Sequence, residues 1–165
     1  MEGKGETRVG IGYDSHRLVE GRPLMLGGVC VAHHKGLLGH SDGDVLLHAI
    51  GDALCGAAGL PDIGQLFPNT AAAWKDADSW NLLRSIAARA REEGWTTGNV
   101  DAVLIAQKPK IAPYVLAMRE RVATALEIAT ENVNIRGKTA EGMGALGAEE
   151  GMAAHAVCLL NRNGN

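Results

Sequence analysis

The fold of this chain is decided by the stretch Arg8-Val9-Gly10-Ile11-Gly12-Tyr13-Asp14-Ser15-His16. This run predicts a first strand from about Arg8 to Arg17. Side chains two positions apart in a strand point to the same face of the sheet, so a carboxylate oxygen of Asp14 and a ring nitrogen of His16 can converge on one ion. The pair therefore indicates a metal site on one face of the first strand.

A second polar segment, His40-Ser41-Asp42-Gly43-Asp44, leads into a helical pattern that we predict from about Asp44 to Ala58. His48 lies about one turn inside this helix. Three ligands from two rigid elements leave one tetrahedral position open, which is typical of a catalytic zinc site. An Asp-x-His pair alone is more often a surface or capping pair, and a lone helix histidine usually has an ordinary partner, so it is the cluster that favours a metal.

The composition indicates one globular domain. The chain has 165 residues, of which 46% are hydrophobic and 21% charged, and the net charge of -3 gives no electrostatic case for a nucleic-acid partner. We expect a flexible tail over residues 1–7 and a single domain over residues 8–165. No run is long enough for a transmembrane helix, which predicts no membrane partner, and the polar tail does not resemble a signal peptide.

The three cysteines, Cys30, Cys55 and Cys158, are widely spaced and form no C-x-x-C pattern. Such spacing is typical of thiols that are buried and reduced, as in cytosolic proteins. We therefore predict three buried thiols and a cytoplasmic protein.

Strands and helices alternate along the rest of the chain. The predicted elements are strands over 24–26 and 29–31 joined at Gly27-Gly28, a loop over 59–70, a helix capped by Ser79 and ending near Gly94, a strand over 100–106, a helix beginning at Pro113, and strands over 132–137 and 154–161. This order predicts an α+β fold with helices packed on one face of a mixed β-sheet. The other face needs cover, which predicts oligomerisation through the sheet.

Six motifs follow one another in the chain: Gly12-Tyr13-Asp14-Ser15-His16, Lys35-Gly36-Leu37-Leu38-Gly39-His40-Ser41-Asp42-Gly43-Asp44, Leu47-His48-Ala49, Asp62-Ile63-Gly64 with Phe67-Pro68, Gln107-Lys108-Pro109-Lys110, and Thr139-Ala140-Glu141. With this order and spacing, the chain resembles the 2-C-methyl-D-erythritol 2,4-cyclodiphosphate synthase family over about Arg8 to Leu160. The resemblance implies conversion of 4-diphosphocytidyl-2-C-methyl-D-erythritol 2-phosphate to 2-C-methyl-D-erythritol 2,4-cyclodiphosphate with release of CMP. This lyase reaction belongs to the non-mevalonate (MEP) pathway of isoprenoid biosynthesis.

The implied reaction agrees with what the sequence lacks, since it holds no nucleophile elbow, P-loop or obvious catalytic triad. In the family's reaction the 2-phosphate of the substrate attacks the β-phosphorus. A phosphate monoester has a second pKa of about 6 and is largely ionised at pH 7. The protein must therefore fold the substrate so that its ends meet, and neutralise phosphate charge.

The resemblance also implies roles for single residues. Zn²⁺ would be held by Asp14, His16 and His48, and a Mg²⁺ or Mn²⁺ ion by Glu141. His40 and Thr139 would stabilise the transition state. Considered singly, Glu141 could be a solvated loop acid and His40-Ser41 a polar turn before a helix.

The substrate contacts implied by the resemblance fall in four segments. They are Asp14, Ser15 and His16; His40 and Ser41; Asp62, Ile63, Gly64, Phe67, Pro68, Asn69, Thr70 and Ala71; and Ala106, Gln107, Lys108, Pro109, Lys110, Ile111, Ala112, Lys138, Thr139, Ala140 and Glu141. The segment over 106–112 corresponds to a loop that recognises cytosine largely through backbone groups, and the segment over 67–71 to a mobile loop that covers the substrate.

The family forms a homotrimer with sheets around the threefold axis and each active site between two subunits, which agrees with the uncovered sheet face. Some relatives carry a fused cytidylyltransferase, and whether this chain contacts that upstream enzyme is left open. The chain departs from the family at Asn69, often Asp, and at Ala145 and Ala148, where many members have Phe and Arg lining a central cavity. Without that Arg we predict weak or no anion binding at the axis.

Two other functions remain open at this point. A zinc-dependent phosphohydrolase would use the open metal position to activate water and would give an uncyclised product. A non-catalytic, metal-bound trimeric binding module would have no turnover, and replacing His16 would impair only its assembly.

Overall fold

The computed structural model describes residues 5–68 and 77–162 of the chain. Its elements, in order, are β1 (Glu6–Glu20), β2 (Leu24–Leu26), β3 (Val29–Val31), β4 (Lys35–Leu37), α1 (Val45–Ala58), α2 (Ile63–Leu66), α3 (Ser79–Glu92), β5 (Thr96–Ile105), α4 (Val115–Leu126), β6 (Val133–Lys138), α5 (Gly144–Gly147) and β7 (Gly151–Arg162).

Five strands form a sheet in the order β4-β1-β7-β5-β6, and β2 and β3 form a separate hairpin. The pair of β5 and β6 is parallel and the other pairs are antiparallel, so the sheet is mixed as predicted. The helices α1, α3 and α4 bury the apolar residues of one sheet face in a single core cluster. The predicted α+β architecture is therefore confirmed.

The helix α1 crosses β1 so closely that the two backbones are in contact at Gly10 and Gly12. A Cβ atom built on Gly10 would lie 1.9 Å from the carbonyl oxygen of Ala53, and one built on Gly12 would lie 1.9 Å from that of Ala49. Any side chain at either glycine would therefore push the helix away from the strand. The glycines of the opening stretch thus bring the first half of α1, with His48, against the strand that carries Asp14 and His16.

Several predicted boundaries need correction. The first strand begins at Glu6, so two residues of the predicted tail pair with β7, while residues 1–4 lie outside the described part. The predicted loop over 59–70 contains the one-turn helix α2, because the carboxylate of Asp62 caps it by accepting from the Gln65 N–H. Pro113 belongs to a 3₁₀ turn over Ala112–Tyr114 that precedes α4.

The sheet face opposite the helices is exposed and apolar in the single chain. Ile11 is 73% exposed, Val9 65% and Tyr13 54%, all on outward positions of β1, and Val157 on β7 is 44% exposed. A strip of this kind is typical of a surface that another chain covers. No helix among residues 5–68 and 77–162 has the length and apolar character needed to cross a bilayer.

Two of the three predicted buried thiols are confirmed. Cys55 and Cys158 are buried, and burial raises the pKa of each thiol to about 12. Cys30 is exposed, so its prediction was wrong, because it occupies an outward position of the short strand β3.

Candidate metal centre and substrate pockets

The strand β1 and the helix α1 bring three ligand atoms together. The Oδ2 atom of Asp14 lies 2.8 Å from Nε2 of His16 and 3.0 Å from Nδ1 of His48, and the two nitrogens are 3.1 Å apart. Within residues 5–68 and 77–162 this is the one group of three such side chains arranged to hold a metal ion. A tetrahedral zinc ion with bonds of 2.0–2.1 Å needs ligand atoms about 3.3 Å apart, so the donor set and the triangle fit zinc.

The charges of the three groups are coupled. Burial opposes ionisation of Asp14, but hydrogen bonds from His16 and His48 outweigh it and hold the pKa of the carboxyl below its usual value. Burial likewise opposes protonation of His48, and its hydrogen bond to Asp14 outweighs that effect and raises the pKa of the imidazole. Three lone-pair atoms this close need a positive charge between them, which a proton or a metal ion can supply.

The other ring nitrogen of His48 is held by two buried hydroxyl groups. Its Nε2 lies 2.9 Å from Oγ of Ser79 and 3.1 Å from Oγ of Ser41. The sequence predicted Ser79 as the helix cap, which is wrong: Asp78 caps α3 by accepting from the Trp80 N–H at 2.8 Å. Ser79 is freed from capping, and its hydroxyl instead points to His48 and to the carboxylate of Asp42.

A cavity of about 210 Å³ lies beside the three ligands. Its walls are Asp14, His16, His40, Ser41, His48, Asp52, Ile63, Gly64, Phe67 and Leu82. The Nε2 atom of His40 is buried and has no hydrogen-bond partner among the described residues. A buried polar atom without a partner is costly and rare in folded proteins, which marks His40 as an unusual residue of this cavity. The structure thus brings His40 to the predicted metal ligands.

Asp52 also lines this cavity, although the sequence analysis did not single it out. It follows His48 by one turn of α1 and accepts a hydrogen bond from the Ile63 N–H at 3.0 Å. Burial raises the pKa of the Asp52 carboxyl. The spacing of four residues from His48 on the same helix face is the signal that could have identified it.

Some of the other predicted substrate contacts do not line this cavity. The carboxylate of Asp62 forms two hydrogen bonds with Gln65: it accepts from the backbone N–H at 2.9 Å and from the side-chain amide at 2.8 Å. The side chain of Ser15 is exposed on the sheet face away from His16, while its backbone N–H donates to Asp14 at 2.9 Å. Pro68 is exposed. Asn69, Thr70 and Ala71 lie outside the described residues.

A second cavity, of about 270 Å³, lies at the carboxyl ends of the parallel strands β5 and β6. Its walls are Leu104, Ala106, Gln107, Pro109, Lys110, Ile111, Ala112, Val115, Gly137, Lys138 and Thr139. It therefore collects all of the predicted segment 106–112 except Lys108, which forms an ion pair with Glu149 at 3.1 Å. The ends of parallel strands are a common place for ligands in α/β sheets.

Thr139 and Glu141 form a compact turn beside the second cavity. The Thr139 hydroxyl donates to Oε1 of Glu141 at 3.0 Å and accepts from the Glu141 N–H at 3.3 Å. Glu141 adopts a φ of 51°, which is uncommon for a residue other than glycine and is often found at functional sites. Glu141 is not part of the Asp14–His16–His48 group.

The predicted site residues thus form two groups. One cavity holds the metal ligands and His40, and the other holds Thr139 and most of the segment 106–112. We call them the metal half-site and the second half-site. Neither of these two cavities is lined by residues of both groups, so among residues 5–68 and 77–162 the metal ligands and the segment 106–112 line different cavities.

Comparison with known proteins gives consistent matches over nearly the whole chain. A family model described as the YgbB family matches residues 7–161. The chain is 60% identical over 153 residues to the 2-C-methyl-D-erythritol 2,4-cyclodiphosphate synthase of Chromobacterium violaceum, covering 93% of this chain and 97% of that protein. It is 54% identical over 153 residues to the enzyme of the same name from Salinibacter ruber, covering 93% and 98%.

Solved structures agree with the fold. The bifunctional IspDF from Campylobacter jejuni superposes with a TM-score of 0.93 at 39% identity over 98% of this chain, which spans 44% of that longer protein. A complex of IspF from Plasmodium falciparum with CDP gives a TM-score of 0.83 at 34% identity and covers 96% of this chain and 97% of that one.

Proposed function

Since the chain belongs to the YgbB family, we propose that it catalyses the reaction of the 2-C-methyl-D-erythritol 2,4-cyclodiphosphate synthases that it matches. It converts 4-diphosphocytidyl-2-C-methyl-D-erythritol 2-phosphate to the 2,4-cyclodiphosphate and CMP, a step of isoprenoid biosynthesis. The structural observation that carries the proposal is the triangle of Asp14, His16 and His48, which opens to a cavity that His40 also lines.

The metal half-site would hold Zn²⁺ through Asp14, His16 and His48. When bound, zinc would act as a Lewis acid toward a phosphoryl oxygen and would hold the diphosphate in place. Glu141 would offer a carboxylate oxygen to Mg²⁺ or Mn²⁺, which prefer oxygen ligands. The donor atoms support the first assignment, and the resemblance of Thr139-Ala140-Glu141 to the family motif supports the second.

The side chains of this protein position the substrate and do not attack it. His40 would bind a phosphate oxygen of the methylerythritol end, next to Ser41. Asp62, Ile63 and Gly64 would contact the ribose and erythritol parts. A donor placed where charge develops is worth about 10²–10³ in rate, and intramolecular orientation can supply about 7–11 kcal/mol more.

The second half-site would take the cytidine. The cavity bounded by residues 106–112 is mostly apolar, as suits a flat base, and the solved IspF complex from Plasmodium falciparum contains CDP. Thr139 would hydrogen-bond the phosphate that joins the two ends of the substrate. Lys138 and Ala140 flank Thr139 and would complete this contact.

We further propose a homotrimer with sheets around the threefold axis and with each active site between two subunits. The exposed strip of Val9, Ile11, Tyr13 and Val157 supports burial of the sheet face against other copies. The separation of the metal half-site from the second half-site supports a site completed by a neighbouring copy. A cytoplasmic location remains a prediction.

Two of the three departures from the family, Ala145 and Ala148, do not line the cavity beside the metal ligands. Ala145 lies in α5 and Ala148 directly follows it, both with exposed side chains, and Asn69 lies outside the described residues. We keep the prediction that the absence of Arg at position 148 weakens anion binding on the trimer axis. Mass spectrometry of the purified protein tests it, and a co-purified isoprenoid diphosphate located on the axis would contradict it.

Phosphorus NMR of the purified chain with its substrate, Zn²⁺ and Mg²⁺ tests the function. Two coupled diphosphate signals that appear together with CMP establish the synthase. CMP with an uncyclised phosphate product favours the phosphohydrolase. Absence of turnover by a metal-loaded oligomer favours the binding module and refutes the proposal.

A further inference from the structure

A line of partly buried hydrogen bonds runs from His48 through Ser79 to Asp42. Oγ of Ser79 lies 2.9 Å from Nε2 of His48, and the same hydroxyl donates to Oδ1 of Asp42. Oδ2 of Asp42 accepts from the Ser79 N–H at 3.1 Å, and Oδ1 also accepts from the Asp44 N–H at 3.1 Å. Ser79 is 1% exposed, so water does not replace these partners.

The hydrogen positions along this line follow from the chemistry of the groups. An ionised carboxylate can only accept hydrogen bonds, so the proton of the Ser79 hydroxyl lies on its bond to Asp42. The oxygen of Ser79 must then accept from His48, which places a proton on Nε2. A neutral imidazole carries one ring proton, so Nδ1, the atom that faces Asp14 and His16, keeps its lone pair for a metal ion.

We propose that Asp42 and Ser79 are positioning residues that fix the tautomer and the ring orientation of His48 for metal binding. The inference rests on the proposed metal site of Asp14, His16 and His48, but does not depend on which phosphoryl reaction follows. Ser41 is the weaker partner, since its hydroxyl lies 3.1 Å from Nε2 of His48 and 3.2 Å from the Ser79 hydroxyl. Asp42 therefore acts on the metal through two intervening side chains.

The hydrogen bonds from His48 through Ser79 to Asp42, which we call the relay, link three separate parts of the chain. Asp42 lies in the segment before α1, His48 inside α1, and Ser79 at the start of α3. The Asp42 N–H also donates to the Ala77 carbonyl at 3.2 Å, which ties the two segments a second time. The start of α3 is thus fixed to the metal half-site by backbone and side-chain bonds together.

Zinc affinity of the full chain, measured without substrate by competition with a chromophoric chelator, tests the relay. Ser79→Ala removes the acceptor of the Nε2 proton, and Asp42→Asn replaces one acceptor oxygen with a donor that meets a backbone N–H or the Ser79 hydroxyl. Each variant is expected to bind Zn²⁺ about 10- to 100-fold more weakly, the usual cost of losing a partner of a metal-bound histidine. The double variant is expected to lose no more than the worse single variant, because both changes break one line of bonds.

Ser85→Ala is the matched control, since Ser85 is on the same helix, is exposed and donates to the Asn81 carbonyl at 3.0 Å. It is expected to bind Zn²⁺ within about twofold of the wild type. A second readout is the ring ¹⁵N spectrum of zinc-loaded protein labelled at histidine. The Nε2 proton of His48 is expected to exchange slowly with water in the wild type and faster in Ser79→Ala, which a loss of overall stability alone would not single out.

Wild-type zinc affinity in Ser79→Ala, or losses that add in the double variant, would contradict the relay. If Ser79→Ala does not fold, Asp42→Asn decides, and wild-type affinity in that variant overturns the proposal. A wild-type chain that binds no Zn²⁺ overturns it as well, together with the metal site. A wild-type chain that binds Zn²⁺ but makes no cyclic product refutes the proposed reaction while leaving the affinity result intact.

Discussion

The metal half-site and the second half-site are built in different ways. The first places charged and imidazole groups on β1 and α1, and hydrogen bonds hold their atoms within 2.8–3.1 Å of one another. The second is a mostly apolar cavity between a loop after β5 and the end of β6, with Thr139 as its hydroxyl group. We therefore expect metal binding in the metal half-site, and in the second half-site recognition mainly by shape, with the Thr139 hydroxyl as its one contact to the reacting phosphate.

The same difference decides how sensitive each region is to mutation. An isosteric change of one atom in the metal half-site removes a ligand or leaves a buried group without its partner. Beside the second half-site, the side chain of Lys108 forms an ion pair with Glu149 and does not line the cavity. We therefore expect replacement of Lys108 to leave the cavity intact. We therefore expect variants of the two half-sites to differ in the size of their effects.

The largest effect is expected from Asp14→Asn, which keeps the size of the side chain and removes its charge. The loss of metal-dependent stabilisation worth several kcal/mol corresponds to a decrease of about 10³-fold in kcat/KM. Steady-state assays of CMP release, with the metal content of each preparation measured in parallel, check this. If the Asp14→Asn variant holds little metal but keeps activity within tenfold of the wild type, the proposed role of Asp14 is wrong.

Ile11→Glu tests whether the exposed strip joins copies of the chain. A carboxylate on a buried apolar interface costs several kcal/mol, so the variant is expected to dissociate and to lose activity by more than about 100-fold. Leu116→Glu is the matched control, because Leu116 is 61% exposed but lies on α4 and not on the sheet face. Sedimentation equilibrium separates the two variants, and equal oligomeric states for both would count against the interface.

Thr139→Val removes one hydroxyl from the second half-site while keeping its shape. By the value of a single transition-state donor, kcat is expected to fall by about 100-fold, with binding of CDP nearly unchanged. Single-turnover kinetics and a CDP titration by calorimetry measure the two effects. A fall in CDP affinity with unchanged kcat would mean that Thr139 shapes the cavity and takes no part in the reaction.

The smallest effect concerns pH and applies to the metal half-site alone. The pKa of His48 is raised, because its bond to Asp14 outweighs burial, and a metal ion must displace the ring proton. Zinc affinity is therefore expected to rise with pH up to that pKa and to fall by about tenfold for each pH unit below it. Chelator competition across this range gives the slope, and metal retained well below about pH 5 would argue against His16 and His48 as ligands.

Much of the metal half-site could be predicted from the sequence. The alternation of β1 places Asp14 and His16 on one face, and the helical period places His48 near the start of α1. Ser79, Asp42 and Asp52 were missed in their roles because they act through contacts between separate segments. A serine near a helix start is normally read as a cap, and only the neighbouring Asp78 shows that the hydroxyl is free for another role.

The second half-site could not be derived from residue types. Its walls are small and apolar residues that also occur in any core, and the resemblance to the family was needed to assign residues 106–112 to substrate binding. The fold followed more closely, since the hairpin at Gly27-Gly28 and the other predicted strands are present, although the short strand β4 was not predicted. The other errors concern the short helix α2 and element ends, where Asp62 and Asp78 supply caps that the apolar pattern does not reveal.

We propose that each active site joins the metal half-site of one copy to the second half-site of another. Asp14→Asn and Thr139→Val chains, each expected to retain at most about 1% of the activity alone, can be unfolded together and refolded as mixed oligomers. Random mixing in a 1:1 ratio gives intact pairs of half-sites in about one quarter of the sites, so about one quarter of the wild-type activity should return. Activity no higher than that of the separate variants would show that each site lies within one chain, and would contradict the account.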